Sequence, residues 1–353
     1  MASQLALLFV RRLEVPVVLT DLDQERVDRG VGYVHAEVDK LLAKGRLSKD
    51  KANRLRGLVY GAADDQAKTS ALSDADFVIE AVFEEMKVKK QVFADVEAVV
   101  SPECVLATNT SSLSITEMAA DLAHPERVVG FHFFNPVAVM PLLEIVRSER
   151  TDDSTLATAF ATGRTLKKTT ILVRDSPSFI VNRLLGRFMG EVGRIVDEGT
   201  PLEIADGAFA GVAPMPPFVL LSLVGPAIAL HNSETLHDAS PERFYVSPKL
   251  KRLVASGKTS IYLPDLSLDP EVADLFRAPE NATTLTAADV RDRVLSALAE
   301  EARLMLDEGV VVAPEDLDLA MITGAGFSFW NGGLTQLLDR EGISEKVNGA
   351  RFH

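Results

Sequence analysis

Short apolar runs alternate with longer amphipathic stretches through the first half of the chain. Residues 3 to 13 carry apolar positions at helical spacing, with Leu5, Leu8 and Phe9 on one face. Val15 to Asp21 reads as a buried strand that ends in an acid, and Asp21 or Asp23 can N-cap the helix that follows. A charged helical region then runs from about Glu25 to Leu58, broken near Gly45 to Ser48. Asp76 to Val82, Cys104 to Asn109 and Val128 to Phe133 are further strands, with a helix from about Met86 to Val100 after the first of them. Leu142 to Val146 reads as one more strand with a single carboxylate, Glu144, inside it. Helices alternating with short apolar strands predict an α/β domain with a doubly wound parallel sheet over residues 1–174.

From about Asp175 the pattern turns mainly helical and contains a weak repeat. Asp197-Glu198-Gly199 recurs as Asp307-Glu308-Gly309, each after an amphipathic helix and before a short helix carrying Asp206 or Asp318. Each copy then reaches a turn rich in Gly, Pro and aromatic residues, Gly211 to Phe218 and Gly324 to Trp330. The second half therefore divides into helical units at 175–240 and 287–353, with 241–286 as a linker with short helices.

Composition narrows the classes. The 353 residues are 47% hydrophobic and 25% charged, ordinary for a globular chain of two or three domains. A net charge of -14 argues against nucleic acid and anionic membranes as main partners. Cys104 is the only cysteine, which excludes an intrachain disulfide and a cysteine-rich metal site and fits a reducing cytoplasm. The histidines show no metal-ligand spacing, so no metal is expected. The apolar opening is followed, not preceded, by Arg11 and Arg12, which does not fit a signal peptide, and it is too short to span a bilayer.

A Rossmann-like domain normally begins with a strand and a Gly-x-Gly-x-x-Gly turn. Here the first glycine is Gly30, and the simplest expectation is that Met1 lies just inside that turn. Asp21 still ends a strand where such folds place the acid for the adenosine ribose 2′-hydroxyl, although a plain helix cap explains it too.

The chemistry gathers around Gly130-Phe131-His132-Phe133-Phe134-Asn135-Pro136. Pro136 stops the strand, so His132 stands where strand gives way to loop. A carboxylate is costly to bury alone, and His132 is the obvious partner for Glu144. The competing reading is a hydrogen-bonded core histidine and an unrelated edge-strand glutamate.

Asn109-Thr110-Ser111-Ser112, His132 to Pro136, Glu144, and Phe179-Ile180-Val181-Asn182-Arg183 together resemble the L-3-hydroxyacyl-CoA dehydrogenase family across nearly the whole chain. Its motifs read Asn-Thr-Ser-Ser, His-Phe-Phe-Asn-Pro, a downstream Glu, and Phe-Ile-Val-Asn-Arg, in this order. The duplicated helical half looks like the dehydrogenase part of bacterial fatty-acid-oxidation multienzymes. The resemblance implies His132 as catalytic base, Glu144 as its orienting partner, and Ser111 and Asn182 as substrate hydrogen-bonding groups. It places Asp21, Glu84, Lys89 and Asn109 at the NAD site, and Asn135 beside the substrate. Lys40, Lys44 and Arg46 are candidates for the CoA phosphates, against the reading of a solvated helix face. Ser178 and Pro216 stand where the family's turns carry glycine.

The activity implied is oxidation of (S)-3-hydroxyacyl-CoA to 3-oxoacyl-CoA in fatty-acid β-oxidation, with the site in the cleft between domains. Neutral imidazole suits removal of a hydroxyl proton. The alternative is a cofactor-deficient remnant, an acyl-CoA-binding module or a non-catalytic partner of a β-oxidation complex. Reductive use of NADP is a third reading, disfavoured because Asp21 would repel a 2′-phosphate, although Arg26 and Arg29 are near. A homodimer and docking of a separate hydratase or thiolase stay open.

Overall fold

A computed structural model of the chain, described here for residues 1–265, 267–278, 282 and 284–353, forms two compact units, Met1–Asp175 and Ser176–His353.

The first unit runs α1 (Ala2–Arg12), β1 (Val17–Thr20), α2 (Gln24–Ala43), α3 (Lys49–Gly57), β2 (Val59–Ala62), α4 (Asp65–Ser73), β3 (Phe77–Glu80), α5 (Met86–Glu97), β4 (Val105–Thr108), α6 (Ile115–Ala119), β5 (Val128–Phe133), β6 (Leu142–Arg147), α7 (Asp153–Thr165) and β7 (Thr169–Arg174). Gly45, at φ +66°, breaks the charged helical region into α2 and α3 near the expected place. Asp23 caps α2 by accepting from the Arg26 N–H.

The Rossmann-like α/β class holds, with the sheet in two pieces. β1 and β2 pair in parallel, while β3-β4-β5-β6-β7 form a separate five-stranded sheet. β3, β4 and β5 are parallel as expected. β6 runs antiparallel to β5, because only the short loop 134–141 joins them and a parallel return needs a long crossover. β2, α4 and β7 carry too weak a pattern to be read from sequence. In β2, Val59 and Ala62 are buried but Tyr60 and Gly61 are exposed. Gly61 is required there, since a Cβ would lie 2.1 Å from Val27 Cγ1 on α2.

Helix α1 packs on both sheets, which is why it is apolar on more than one face. Leu5, Leu8, Phe9 and Leu13 join the cluster of Val105, Phe131, Val137 and Ile145 on the five-stranded sheet. Ala6, Leu7 and Val10 join Val34, Val38, Leu55 and Val59 beside β1 and β2.

The second unit is helical: α8 (Val181–Glu198), α9 (Leu202–Gly207), α10 (Pro217–Val224), α11 (Pro226–Ala239), α12 (Pro248–Ala255), α13 (Pro270–Ala273), α14 (Ala287–Asp307), α15 (Pro314–Ala325), α16 (Leu334–Arg340) and α17 (Ile343–Asn348). The sequence repeat has a structural counterpart. Gly199 and Gly309 both take positive φ just past the long helices α8 and α14. Asp206 accepts the Phe218 N–H at the start of α10, and Asp318 accepts the Thr335 N–H at the start of α16. Arg183 on α8 reaches Glu301 on α14 at 2.6 Å, both buried. Ser178, at φ +60°, occupies a left-handed position that explains the family's preference for glycine there. Of the segment read as linker, 241–286, residues 266, 279–281 and 283 lie outside the described residues; the rest includes α12 and α13.

Gly130 in β5 faces Val146 in β6, and a Cβ on it would meet Val146 Cβ at 2.6 Å. Gly130→Ala should lower stability by ~1–3 kcal/mol through this overpacking, read as a lower urea midpoint. An unchanged midpoint would mean that the two strands can separate freely.

Candidate active site

The β5–β6 register brings the first two candidates together. His132 lies directly opposite Glu144 across the antiparallel pair, so both side chains emerge on the same face. His132 Nδ1 is 2.6 Å from Glu144 Oε2. Glu144 has no exposure and His132 only 4%. In the tautomer protonated at Nδ1, the imidazole donates to the Glu144 carboxylate. Phe131 and Phe133 project to the opposite face, their rings 5.2 Å apart, with Phe77 against Phe131. Phe134 tilts against the His132 ring at 4.5 Å. Phe131 and Phe133 therefore anchor the strand from the other face, and Phe134 alone flanks the imidazole.

The second assembly is the turn after β4. Glu84 Oε1 accepts from the Thr110 hydroxyl at 2.6 Å, the Ser111 N–H at 2.8 Å and the Ser111 hydroxyl at 3.2 Å. It also receives the Ser112 N–H and hydroxyl at 3.3 Å. Glu84 is thus the anchor that shapes the Ser111 turn. Lys89 is buried beneath it, 3.3 Å from Glu84 Oε2 and at 2.9 and 3.0 Å from the two oxygens of Glu80. Thr108 also donates to Glu80, as does the Val82 N–H. Burial raises the Glu84 carboxyl, but the Lys89 charge, the Thr110 hydroxyl and the Ser111 N–H outweigh it, and its pKa falls below the ordinary carboxylate value.

Glu80 was not singled out from sequence. The signal was available, since an acid in an apolar strand needs a partner, and Lys89 lies one helical turn into α5. Asp175 was likewise read only as a boundary. It accepts from the Ser114 hydroxyl at 2.7 Å and from the Ile115 and Thr116 N–H groups, which fixes the start of α6 behind the Ser111 turn.

Asn109 joins the two assemblies. Its N–H extends the β3–β4 pairing to Glu80 O, and its side-chain oxygen accepts the Phe133 N–H at 2.9 Å. The strand end that carries His132 is thereby tied to the strand end that carries Ser111. Asn135 is exposed in the loop after β5 and accepts from Gln4 on α1 at 3.2 Å. Asn182 lies in the first turn of α8, its carbonyl accepting from Asn232, in the second unit. Lys44 is exposed at the C-terminal end of α2, and Lys40 on the same helix pairs with Glu37.

The strand ends fit part of a dinucleotide. Asp21 is exposed just past β1, its carboxylate accepting the Leu22 N–H, with Arg26 at 3.7 Å. Leu22, just past β1, and Phe83, just past β3, are exposed apolar side chains, of the kind a base and ribose pack against. Among the described residues, no group of three or more His, Cys, Asp or Glu could hold a metal ion, and no helix is long and apolar enough to cross a membrane.

The family model for the 3-hydroxyacyl-CoA dehydrogenase NAD binding domain matches residues 1–176, and that for the C-terminal domain matches residues 179–261. The fatty acid oxidation complex subunit alpha of Shewanella amazonensis is 30% identical over 98% of this chain and 50% of its own length. The peroxisomal fatty acid beta-oxidation multifunctional protein of Arabidopsis thaliana is 30% identical over 93% of this chain and 48% of its own. The chain thus spans about half the length of these curated relatives. The crystal structure of (S)-3-hydroxybutyryl-CoA dehydrogenase from Ralstonia eutropha has a TM-score of 0.68 at 30% identity, covering 74% of this chain and 92% of that one. That of 3-hydroxybutyryl-CoA dehydrogenase from Escherichia coli reaches 0.80 over 99% and 93% at 23% identity, a likeness of fold.

Two outcomes follow from the buried charges. Lys89→Met strands Glu80 and should cost ~3–5 kcal/mol in urea unfolding; a loss under about 1 kcal/mol would mean that water replaces the ammonium. Because the folded pKa of Glu84 is lowered, its stabilisation is present above the unfolded carboxylate value near 4.3 and fades as pH falls through the folded one. Urea midpoints of Glu84→Gln should therefore vary less steeply with pH below about 4.5 than those of the unaltered chain.

Proposed function

The chain belongs to the 3-hydroxyacyl-CoA dehydrogenase family, and from that premise we propose that it oxidises (S)-3-hydroxyacyl-CoA to 3-oxoacyl-CoA with NAD in fatty-acid β-oxidation. The observation that carries this reading is the buried His132–Glu144 pair, at the strand end tied through Asn109 to the Ser111 turn.

Bound NAD supplies the hydride acceptor. His132 Nε2 takes the proton of the substrate's 3-hydroxyl as the C3 hydrogen departs with its electron pair and the C–O bond becomes a carbonyl. Glu144 holds the imidazole in the tautomer with Nδ1–H and stabilises the imidazolium that results. The Ser111 hydroxyl hydrogen-bonds a substrate oxygen and Asn135 lines the substrate site; for Asn182, in the second unit, it is the family resemblance that implies a substrate hydrogen bond. Such positioning can contribute several kcal/mol to the barrier. Asp21 would accept from the adenosine ribose hydroxyls of the bound cofactor, which would favour NAD over a 2′-phosphorylated one. Glu84 and Lys89 act from beneath, by fixing the Ser111 turn. Lys44 is assigned to the CoA phosphates on its charge and exposure alone.

A second reading is an acyl-CoA-binding module without turnover. The division of the strands into two sheets, with β1 before Asp21 in one and β3 before Phe83 in the other, favours it. An NAD titration separates the two, since only the dehydrogenase requires the cofactor to bind. A cytoplasmic location, self-association as a dimer, and docking with hydratase or thiolase components extend the proposal. The relatives named for a fatty-acid oxidation complex support the last of these.

Purified protein should reduce NAD in the presence of 3-hydroxybutyryl-CoA. His132→Gln should abolish measurable turnover with the fold intact by circular dichroism. Glu144→Gln should lower kcat on the order of 10²–10⁴-fold by losing both tautomer control and imidazolium stabilisation. Turnover that survives His132→Gln would sink the assignment of the base.

A further inference from the structure

The loop 134–141, which follows His132, is held from two sides by residues that the proposed reaction does not use. Gln4 on α1 engages both ends of its amide. Its Oε1 accepts the Val137 N–H at 3.0 Å, and its Nε2 donates to Asn135 Oδ1 at 3.2 Å. From the other side Lys168, between α7 and β7, places its ammonium 2.5 Å from Val137 O and 2.6 Å from Met140 O. The backbone of Val137 is thus gripped at its N–H by one element and at its carbonyl by another. Its side chain is fully buried in the same cluster as Leu5. Asn135, Pro136 and Ala138 are exposed and Val139 is 71% exposed, while Phe134 and Met140 are half-buried. Besides these anchors, the loop is ordered by the buried Val137 side chain, by turn bonds from the Val139 and Met140 N–H groups to Pro136 O, and at its far end by the Thr169 N–H on Pro141 O.

We propose that Gln4 and Lys168 are positioning residues, a two-point clamp that holds loop 134–141 where Asn135 and the exposed apolar residues of the loop meet the acyl-CoA. This rests on the dehydrogenase reading above for its substrate, but the clamp itself does not. Lysine suits its place because one ammonium offers three donors to carbonyls that would otherwise lie unpaired at a half-buried position. Glutamine suits the other because it must accept and donate at once. Gln4 also couples the loop to α1, the helix that packs against both sheets.

The test uses the full chain. Amide hydrogen exchange by mass spectrometry, without ligand, should rise about tenfold or more in peptides covering 134–141 in both Gln4→Ala and Lys168→Met. Peptides covering β4 and β6 should be unchanged. With 3-hydroxybutyryl-CoA, KM should rise about five- to tenfold in each variant while kcat stays within about threefold. Lys168→Arg, which keeps the donors, should restore both readouts. Unchanged exchange in the loop overturns the clamp, as does a rise shared by β4 and β6. A fall in kcat at constant KM overturns its role in holding substrate. If the unaltered chain shows no turnover while loop exchange still rises in the variants, the functional reading fails and the clamp stands.

Discussion

The constraint on which the first unit depends is a carboxylate, Glu144, with no solvent exposure in the middle of a β-sheet. Moving an ionised carboxyl out of water costs several kcal/mol unless a partner recovers it. Here the partner is His132, and it can be reached only if β6 runs antiparallel to β5 in the register that sets the two opposite each other. A slip of one residue would send the two side chains to opposite faces. Strand direction, register and the length of loop 134–141 are therefore tied to one hydrogen bond.

The same physics recurs one layer away. Glu80 and Lys89 are both buried, and neither would be tolerated without the other. Having paired, they present Lys89 to Glu84, whose carboxylate then gathers the donors of the Ser111 turn. Each assembly uses a buried charge to fix the direction of a neighbouring polar group. Asn109 connects them through a side-chain bond to the Phe133 backbone, so the two sets of donors and acceptors keep their spacing.

Much of this could be read in the chain. The strands β1, β3, β4 and β5, at whose ends Asp21, Glu80, Asn109 and His132 stand, are short apolar runs, and hydrophobic periodicity finds them. The pairing of His132 with Glu144 followed from the cost of burying an acid. What escaped has physical causes as definite. β2 buries only half of its four residues, and β7 is half-covered and closes the sheet, so neither carries a continuous apolar signal. The direction of β6 depends on loop length and not on its own residues. The hydrogen bonds that Glu84 accepts could not be read, because their donors are backbone and hydroxyl groups of three consecutive residues, Thr110 to Ser112, far along the chain. Such contacts leave no trace in local pattern.

Helix α1 shows why the two sheets act as one unit without sharing a hydrogen bond. Its successive residues divide between clusters, Leu5 and Phe9 toward β3–β7, Ala6, Leu7 and Val10 toward β1 and β2. A helix loaded on two faces cannot slide or rotate without opening one of them, since packed apolar surfaces tolerate little displacement. Gln4 lies on this helix, so its amide is delivered to Asn135 and Val137 with the rigidity of the core behind it. The loop beyond His132 thereby takes its position from the packing of α1 as well as from the sheet, and any movement of α1 must carry to the residues beside the imidazole.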